Sequence, residues 1–221
     1  MAKYPIYLEL SGRRVVIIGA GAVAVRKAQS LQAGGARVVV VAETIDDVPA
    51  GLCTAGNLEL IKSKYSKDYL AGAVLAIAAT NKPELNRRIY KDCQKLEILC
   101  NVVDQPQLCD FFVPAVVKRG GLQITIGTDG CCPAYAGHLR KKLEQIFTDE
   151  HGRFLAELET LRKDIMETIP DLTNRRALLG QLVDDESFDY FVQNGPAQWR
   201  NRAEEIIKEY PPQDMLDTRE S

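Results

Sequence analysis

Metal-ligating residues are scarce in this sequence. His138 and His151 are its two histidines, and its six cysteines (Cys53, Cys93, Cys100, Cys109, Cys131 and Cys132) include no Cys-x-x-Cys pair. That argues against a zinc site built on standard spacing. Long apolar runs are missing too, and none approaches the length of a membrane span. The amino terminus, Met1-Ala2-Lys3-Tyr4-Pro5, lacks the apolar core of a secretory signal. A cytoplasmic protein is expected, and with it free thiols rather than disulfides. Excess charge of either sign is absent. The net charge of −2 argues against general nucleic-acid binding, which asks for a clustered basic surface. No Tyr-x-x-x-Lys occurs, which removes a reductase built on that pair. What is present, 46% hydrophobic and 26% charged residues over 221 positions, is ordinary for a soluble globular chain. The length suits one large domain or one domain with an appendage.

One stretch organises the rest. Val15-Val16-Ile17-Ile18 runs straight into Gly19-Ala20-Gly21-Ala22-Val23-Ala24, a Gly-x-Gly-x-x-Ala turn, and an amphipathic helical pattern follows. Gly19 permits a tight turn, Gly21 lets a phosphate approach the backbone, and Ala24 keeps the helix near the sheet. The helix end adds unpaired N–H groups and the positive end of its dipole. Together they form a site for a pyrophosphate. The alternative is a glycine-rich turn that binds nothing.

Further along, Arg37 to Ala42 contains four consecutive valines, the pattern of a strand buried on both faces. It ends at Glu43-Thr44. Glu43 lies 22 positions after Gly21, close to the ~20 expected for the acid that accepts hydrogen bonds from a ribose diol. In that role it predicts NAD over NADP, because a 2′-phosphate would meet like charge. In the other role it is a solvent-facing carboxylate at a strand end. Residues 46–56 read as a loop or short helix, Leu58 to Ile61 as a third strand, and Ser66 or Asp68 as the start of a helical turn. Val74 to Ala79 reads as a fourth strand closed by Thr80-Asn81, with Pro83 opening a helix. Ile98 to Val103 is a fifth strand ending at Asp104. This alternation specifies a Rossmann-type doubly wound parallel sheet, whose ligands lie beyond the carboxyl ends of the strands. Gly19 to Gly21, Glu43, Thr80 and Asn101 to Asp104 all fall at that edge.

After Asp104 the pattern changes. Phe111 to Val117 and Leu122 to Ile126, separated by Lys118 to Gly121, read as an antiparallel hairpin. Its apolar face needs a partner, which a second subunit could supply. Pro133 opens a helix over residues 134–147. The remainder reads as a helical appendage: one helix through Leu155 to Ile165, another through Leu178 to Val183, and a third over residues 199–210, with a frayed tail beyond. Cys93 and Cys100 read as small buried hydrophobes.

These residues carry a resemblance. Tyr4 to Leu10, Gly19 to Lys27, Ala76 to Thr80 with Glu84 to Arg87, Cys100-Asn-Val-Val-Asp104, and Phe111 to Ala115 occur in order. They resemble the motifs of the precorrin-2 dehydrogenase family, the amino-terminal half of siroheme synthases, over residues 4–145. The resemblance implies an NAD-dependent oxidation of precorrin-2 to sirohydrochlorin in siroheme biosynthesis, with ferrous-iron chelation in some members. It implies a homodimer and a stand-alone version of this half. Residues 1–113 would be the NAD-binding Rossmann domain, 114–149 a dimerisation and substrate segment, and 150–221 a helical carboxyl-terminal domain.

The resemblance also assigns residues. Asp104 is implied as the catalytic carboxylate and a possible metal ligand; from the residues alone it could equally cap the turn at Gln105-Pro106. Ala22, Val23, Glu43 and Thr44 are implied as NAD contacts, beside Gly19, Gly21, Thr80 and Asn101 at the same edge. Thr128 keeps the hydroxyl that is a serine in relatives, while Asp129 replaces a glycine and Cys132 a serine. Cys131 and Cys132 could be soft metal ligands or ordinary loop cysteines. Lys118, Arg119, Arg140, Lys141 and Lys142 could meet the acid groups of the polycarboxylated substrate. The competing function is a non-catalytic NAD-sensing module. It explains the glycine turn and Glu43 but not the segment from Asn101 to Asp104 or the Thr128 loop.

Overall fold

The computed structural model describes residues 3–45, 48 and 56–209. The loop expected at 46–56 falls largely outside the described residues, as do Cys53 and the tail from residue 210 onward. The chain divides into two compact units, Met1–Val113 and Pro114–Ser221.

The first unit is a five-stranded parallel sheet. Its strands are β1 (Arg14–Ile18), β2 (Arg37–Ala42), β3 (Leu58–Lys62), β4 (Leu75–Ala78) and β5 (Leu99–Val102), in the order β3-β2-β1-β4-β5. Two helices belong to it, α1 (Ala22–Ala33) and α2 (Pro83–Lys95), together with a 3-10 turn at Lys67–Leu70. Strand alternation sends Val15, Ile17, Val38 and Val40 to one face, where Ala24 and Ala28 of α1 cover them. It sends Val16, Ile18, Val39 and Val41 to the other face, against Leu70 and against Ile89 and Cys93 of α2. Helices on both faces explain why these strands are nearly unbroken apolar runs. The chain leaves β1 toward β2 and β3, then returns to add β4 on the opposite side. The carboxyl ends of β1 and β4 therefore flank the reversal point of the strand order, where open sheets of this kind leave a crevice.

The second unit starts with a hairpin of β6 (Ala115–Arg119) and β7 (Leu122–Ile126), paired so that Val117 faces Ile124. β6 extends further toward the turn than the sequence indicates, while β7 keeps the expected bounds. Lys118 and Arg119 belong to β6, the connection is Gly120-Gly121, and Gly120 takes φ +55°. Phe111 to Pro114 lies outside the strand. The face carrying Val117 and Ile124 packs on α3 (Pro133–Ile146) and α4 (Asp149–Thr168). Gly152 of α4 makes this possible, since a Cβ there would sit 2.6 Å from the Arg119 carbonyl oxygen. On that face Val117 is buried, while Ala115, Leu122, Ile124 and Ile126 are partly buried.

Three helices follow: α5 (Leu172–Gln181), α6 (Asp185–Asn194) and α7 (Pro196–Glu209). α6 is an element the apolar spacing does not announce. Asp184 caps it by accepting from the Ser187 N–H at 2.7 Å. Their core joins Phe154, Phe191 and Trp199, with ring centroids 5.2 Å apart for Phe154–Phe191 and Phe154–Trp199. The one buried indole is satisfied: Trp199 Nε1 donates to Ser187 Oγ at 2.8 Å, and Ser187 Oγ donates to the Leu182 carbonyl at 2.9 Å. Among the described residues no helix is long and apolar enough to cross a membrane.

Candidate active site

The glycine turn lies at the strand reversal. Gly19 takes φ +113°, and a Cβ on it would fall 2.3 Å from the Ala79 carbonyl oxygen. That oxygen belongs to the segment leaving β4, so Gly19 is the residue that lets the ends of β1 and β4 close on each other. Gly21 differs. A Cβ there would meet nothing within 4 Å, and its φ of −70° suits any residue. The room above it is open, which is what a phosphate against the backbone needs. Ala22 and Val23 follow as the first exposed residues of α1, whose first turn holds no acidic side chain. Ala24 is buried at the sheet.

Glu43 and Thr44 leave β2 at the same edge and are exposed. Glu43 has a partner that its neighbours in sequence do not reveal: Lys82 Nζ donates to Glu43 Oε1 at 2.7 Å from the start of α2. This ion pair holds the Glu43 carboxyl below its ordinary range. Thr80 is committed internally. Its hydroxyl donates to Asn86 Oδ1 at 2.6 Å and accepts from the Lys82 N–H at 3.2 Å, while Asn86 Nδ2 returns a bond to the Thr80 carbonyl at 3.0 Å. Thr80 and the buried Asn86 thus shape the loop that carries Lys82.

Beyond β5 a cavity of about 320 Å³ opens. Val23, Arg26 and Lys27 line it from α1, and Asn101, Asp104, Cys109 and Phe112 from the other side. Asn101 is buried, and its Nδ2 donates to the Phe111 carbonyl at 2.9 Å. Asp110 also ties the loop to β5, since its Oδ2 accepts from the Cys100 N–H at 2.8 Å. Cys109 closes the loop from inside. Its Sγ lies 3.2 Å from the Val102 carbonyl and 3.4 Å from the Gln105 carbonyl, and accepts from the Val102 N–H at 3.3 Å. Burial outweighs the nearby Lys27 ammonium and raises the Cys109 thiol above its ordinary value, so it serves as a donor. Replacing Cys109 by alanine should cost about 1–2 kcal/mol in urea unfolding by releasing this loop. Serine, which can donate the same bonds, should lose less.

Asp104 sits on the tip so held. The Gln105 N–H bonds to the Val102 carbonyl at 3.3 Å across the turn, and Asp104 takes φ +60°. The short helix at Pro106–Leu108 has no side-chain cap, so Asp104 does not cap it. Among the described residues its carboxylate has no hydrogen-bonding or ionic partner. The turn accounts for the left-handed backbone, since Asp is among the non-glycine residues that tolerate it, but it makes no use of the carboxylate, which is left unpaired beside the cavity.

The remaining expected residues belong to the second unit. Thr128 is half-buried in the loop before α3, and Asp129 takes φ +53°, a left-handed conformation that glycine adopts without strain. Arg140 pairs with Glu144. Arg119 donates to the Phe147 carbonyl at 2.8 Å and the Glu144 carbonyl at 3.0 Å, so its guanidinium serves the fold. Cys131 and Cys132 are exposed. Among the described residues no group of three or more His, Cys, Asp or Glu is placed to hold a metal ion.

Comparison with known proteins agrees with this arrangement. A family model described as "Putative NAD(P)-binding" matches residues 6–115. Siroheme synthase of Psychrobacter arcticus is 38% identical over 176 residues, covering 80% of this chain and 32% of that protein. Siroheme synthase of Thioalkalivibrio sulfidiphilus is 30% identical over 221 residues, covering 100% of this chain and 44% of that protein. The chain belongs to the siroheme synthase family. It spans less than half the length of these relatives. A solved structure described as "SirC, precorrin-2 dehydrogenase" superposes with a TM-score of 0.75 at 23% identity, covering 92% of this chain and 100% of that one. At that identity the likeness concerns the fold, and it extends beyond the Rossmann-type sheet into the hairpin and the helices. Within the siroheme synthase family fold, the glycine turn and its crevice suit a nicotinamide dinucleotide.

Proposed function

We propose that this chain oxidises precorrin-2 to sirohydrochlorin with NAD as the hydride acceptor, as a homodimer. The observation that carries the reading is Asp104: an unpaired carboxylate, held at φ +60° on a loop tied down by three neighbouring residues, facing a cavity that begins at the first turn of α1. The bound nicotinamide supplies the acceptor for the hydride. The open space at Gly21 and the N–H groups of Ala22 and Val23 receive the pyrophosphate. Asp104 accepts a proton from the tetrapyrrole as the hydride leaves, and Asn101 and Cys109 keep the Asp104 turn in place. A regulatory module that only senses NAD has no use for that carboxylate. The test is an anaerobic assay of the purified chain with precorrin-2 and NAD, following NADH and sirohydrochlorin. Formation of both in equal amounts supports the reading, and NAD binding without turnover sinks it. Adding ferrous ion to the same reaction tests iron insertion.

The preference for NAD rests on Glu43 and is tempered by Lys82, because the ion pair offsets the negative charge that a 2′-phosphate would meet. NAD should raise the melting temperature more than NADP. Glu43→Ala leaves the Lys82 ammonium free to meet a 2′-phosphate. It should shift the NAD/NADP ratio of dissociation constants by about tenfold toward NADP, measured by calorimetric titration. An unchanged ratio would remove Glu43 from the ribose site.

A further inference from the structure

Two cations at the Asp104 cavity have no anion of their own. Arg26 and Lys27 line it from α1, and among the described residues neither makes a hydrogen bond or ion pair. Several cations elsewhere in the chain are paired. Lys82 is paired with Glu43, Arg87 with Glu84, Arg88 with Asp92 and Arg140 with Glu144. Lys27 is also half-buried, and burial together with the adjacent Arg26 lowers its ammonium from the ordinary lysine value. The Cys109 thiol, on the same cavity, is kept protonated by burial and supplies no charge. A desolvated ammonium beside a second cation is unfavourable unless a ligand brings the counter-charge.

We propose that Arg26 and Lys27 bind a carboxylate side chain of the tetrapyrrole substrate and so hold the ring against Asp104. The proposal rests on the precorrin-2 reading above and names part of its substrate subsite. The guanidinium offers a planar fork and the ammonium a point charge, a combination suited to a flexible carboxylate arm. The cofactor pyrophosphate is a poorer occupant. It belongs at Gly21, and Lys27 lies about 9 Å further along the helix axis. Asp104, itself anionic, would repel a carboxylate placed beside it. A cationic anchor that is not ion-paired with Asp104 lets a polyacid bind while its reacting carbon approaches that carboxylate.

The test titrates the NAD-bound full chain with uroporphyrin, a stable octacarboxylate tetrapyrrole, followed by porphyrin fluorescence. Arg26→Gln and Lys27→Gln should each weaken porphyrin binding about tenfold, and the double variant more. Lys27→Arg should restore most of the loss, and the NAD dissociation constant should stay unchanged. With precorrin-2 the single variants should raise KM while leaving kcat near wild type. Wild-type porphyrin binding with no loss in the double variant overturns the anchor and leaves the dehydrogenase reading intact. Weakened NAD binding with unchanged porphyrin binding assigns the cations to the cofactor and also overturns it. A wild-type chain that binds NAD but no porphyrin removes the tetrapyrrole reading, and the anchor with it.

Discussion

Asp104→Asn and Asp104→Ala should lower precorrin-2 oxidation by about 10²–10⁴, the usual contribution of a positioned general base, with NAD affinity retained. The proposed pyrophosphate and ribose positions, Gly21 to Val23 and Glu43, lie on other elements and share no hydrogen bond with Asp104. Stability should respond differently from activity. At φ +60° an L residue is strained, and glycine is not. Asp104→Gly is therefore expected to match or exceed wild-type stability, by up to about 1 kcal/mol in urea unfolding, while being as inactive as the alanine variant. Alanine keeps its Cβ and gives nothing back. An inactive but undiminished glycine variant is the signature of a residue retained for chemistry against its local conformational preference. Full turnover by Asp104→Ala would make the carboxylate dispensable and return Asp104 to a turn residue.

The parts of this arrangement that sequence made legible are those written in local pattern. Four valines in β2 require burial on both faces, and the sheet provides it with α1 on one side and α2 on the other. Gly19, Gly21 and Ala24 each meet the environment their spacing suggests: a close backbone approach, open room and a packed helix face. What was not legible depends on contacts between distant residues. Glu43 and Lys82 are 39 positions apart, so the ion pair that alters the proposed ribose position leaves no local trace. Cys109 has no role assigned from sequence, and only the structure shows its sulfur bridging Val102 and Gln105. Arg26 and Lys27 appear in the sequence only as part of the Gly19 to Lys27 motif, and their place on the Asp104 cavity appears only in the fold. Lys118 and Arg119 look like a polar turn, yet the Gly120-Gly121 pair makes the hairpin tighter and places both in β6. α6 was missed because Asp184 sets its start more clearly than any apolar repeat does.

The two glycines of the turn should fail in opposite ways. In Gly19→Ala the new methyl would sit 2.3 Å from the Ala79 oxygen and 2.7 Å from the Ala79 carbon, at a φ of +113° that alanine avoids. The obstructing atoms are backbone, and they are held: the Ala79 N–H bonds to the Ile18 carbonyl at 2.8 Å, and the Gly19 N–H to the Val41 carbonyl at 2.8 Å. Relief requires separating β1 from β4 or β2 at the centre of the sheet. Overpacking and backbone strain together should cost about 3 kcal/mol or more, a fall of roughly 10 °C in Tm for a chain of this size. Gly21→Ala meets nothing within 4 Å and keeps an ordinary φ, so stability should change by less than about 0.5 kcal/mol. Its methyl instead enters the space proposed for the pyrophosphate, and NAD affinity should fall by at least about tenfold. Thermal melts with and without NAD separate the two effects: Gly19→Ala lowers the melting temperature of the free protein, and Gly21→Ala lowers only the increment NAD adds. A Gly21→Ala protein that NAD stabilises as fully as wild type would place the pyrophosphate away from the turn. It would also sever the link between α1 and the Asp104 cavity, because that cavity's own edge is Val23, two residues further into the same helix.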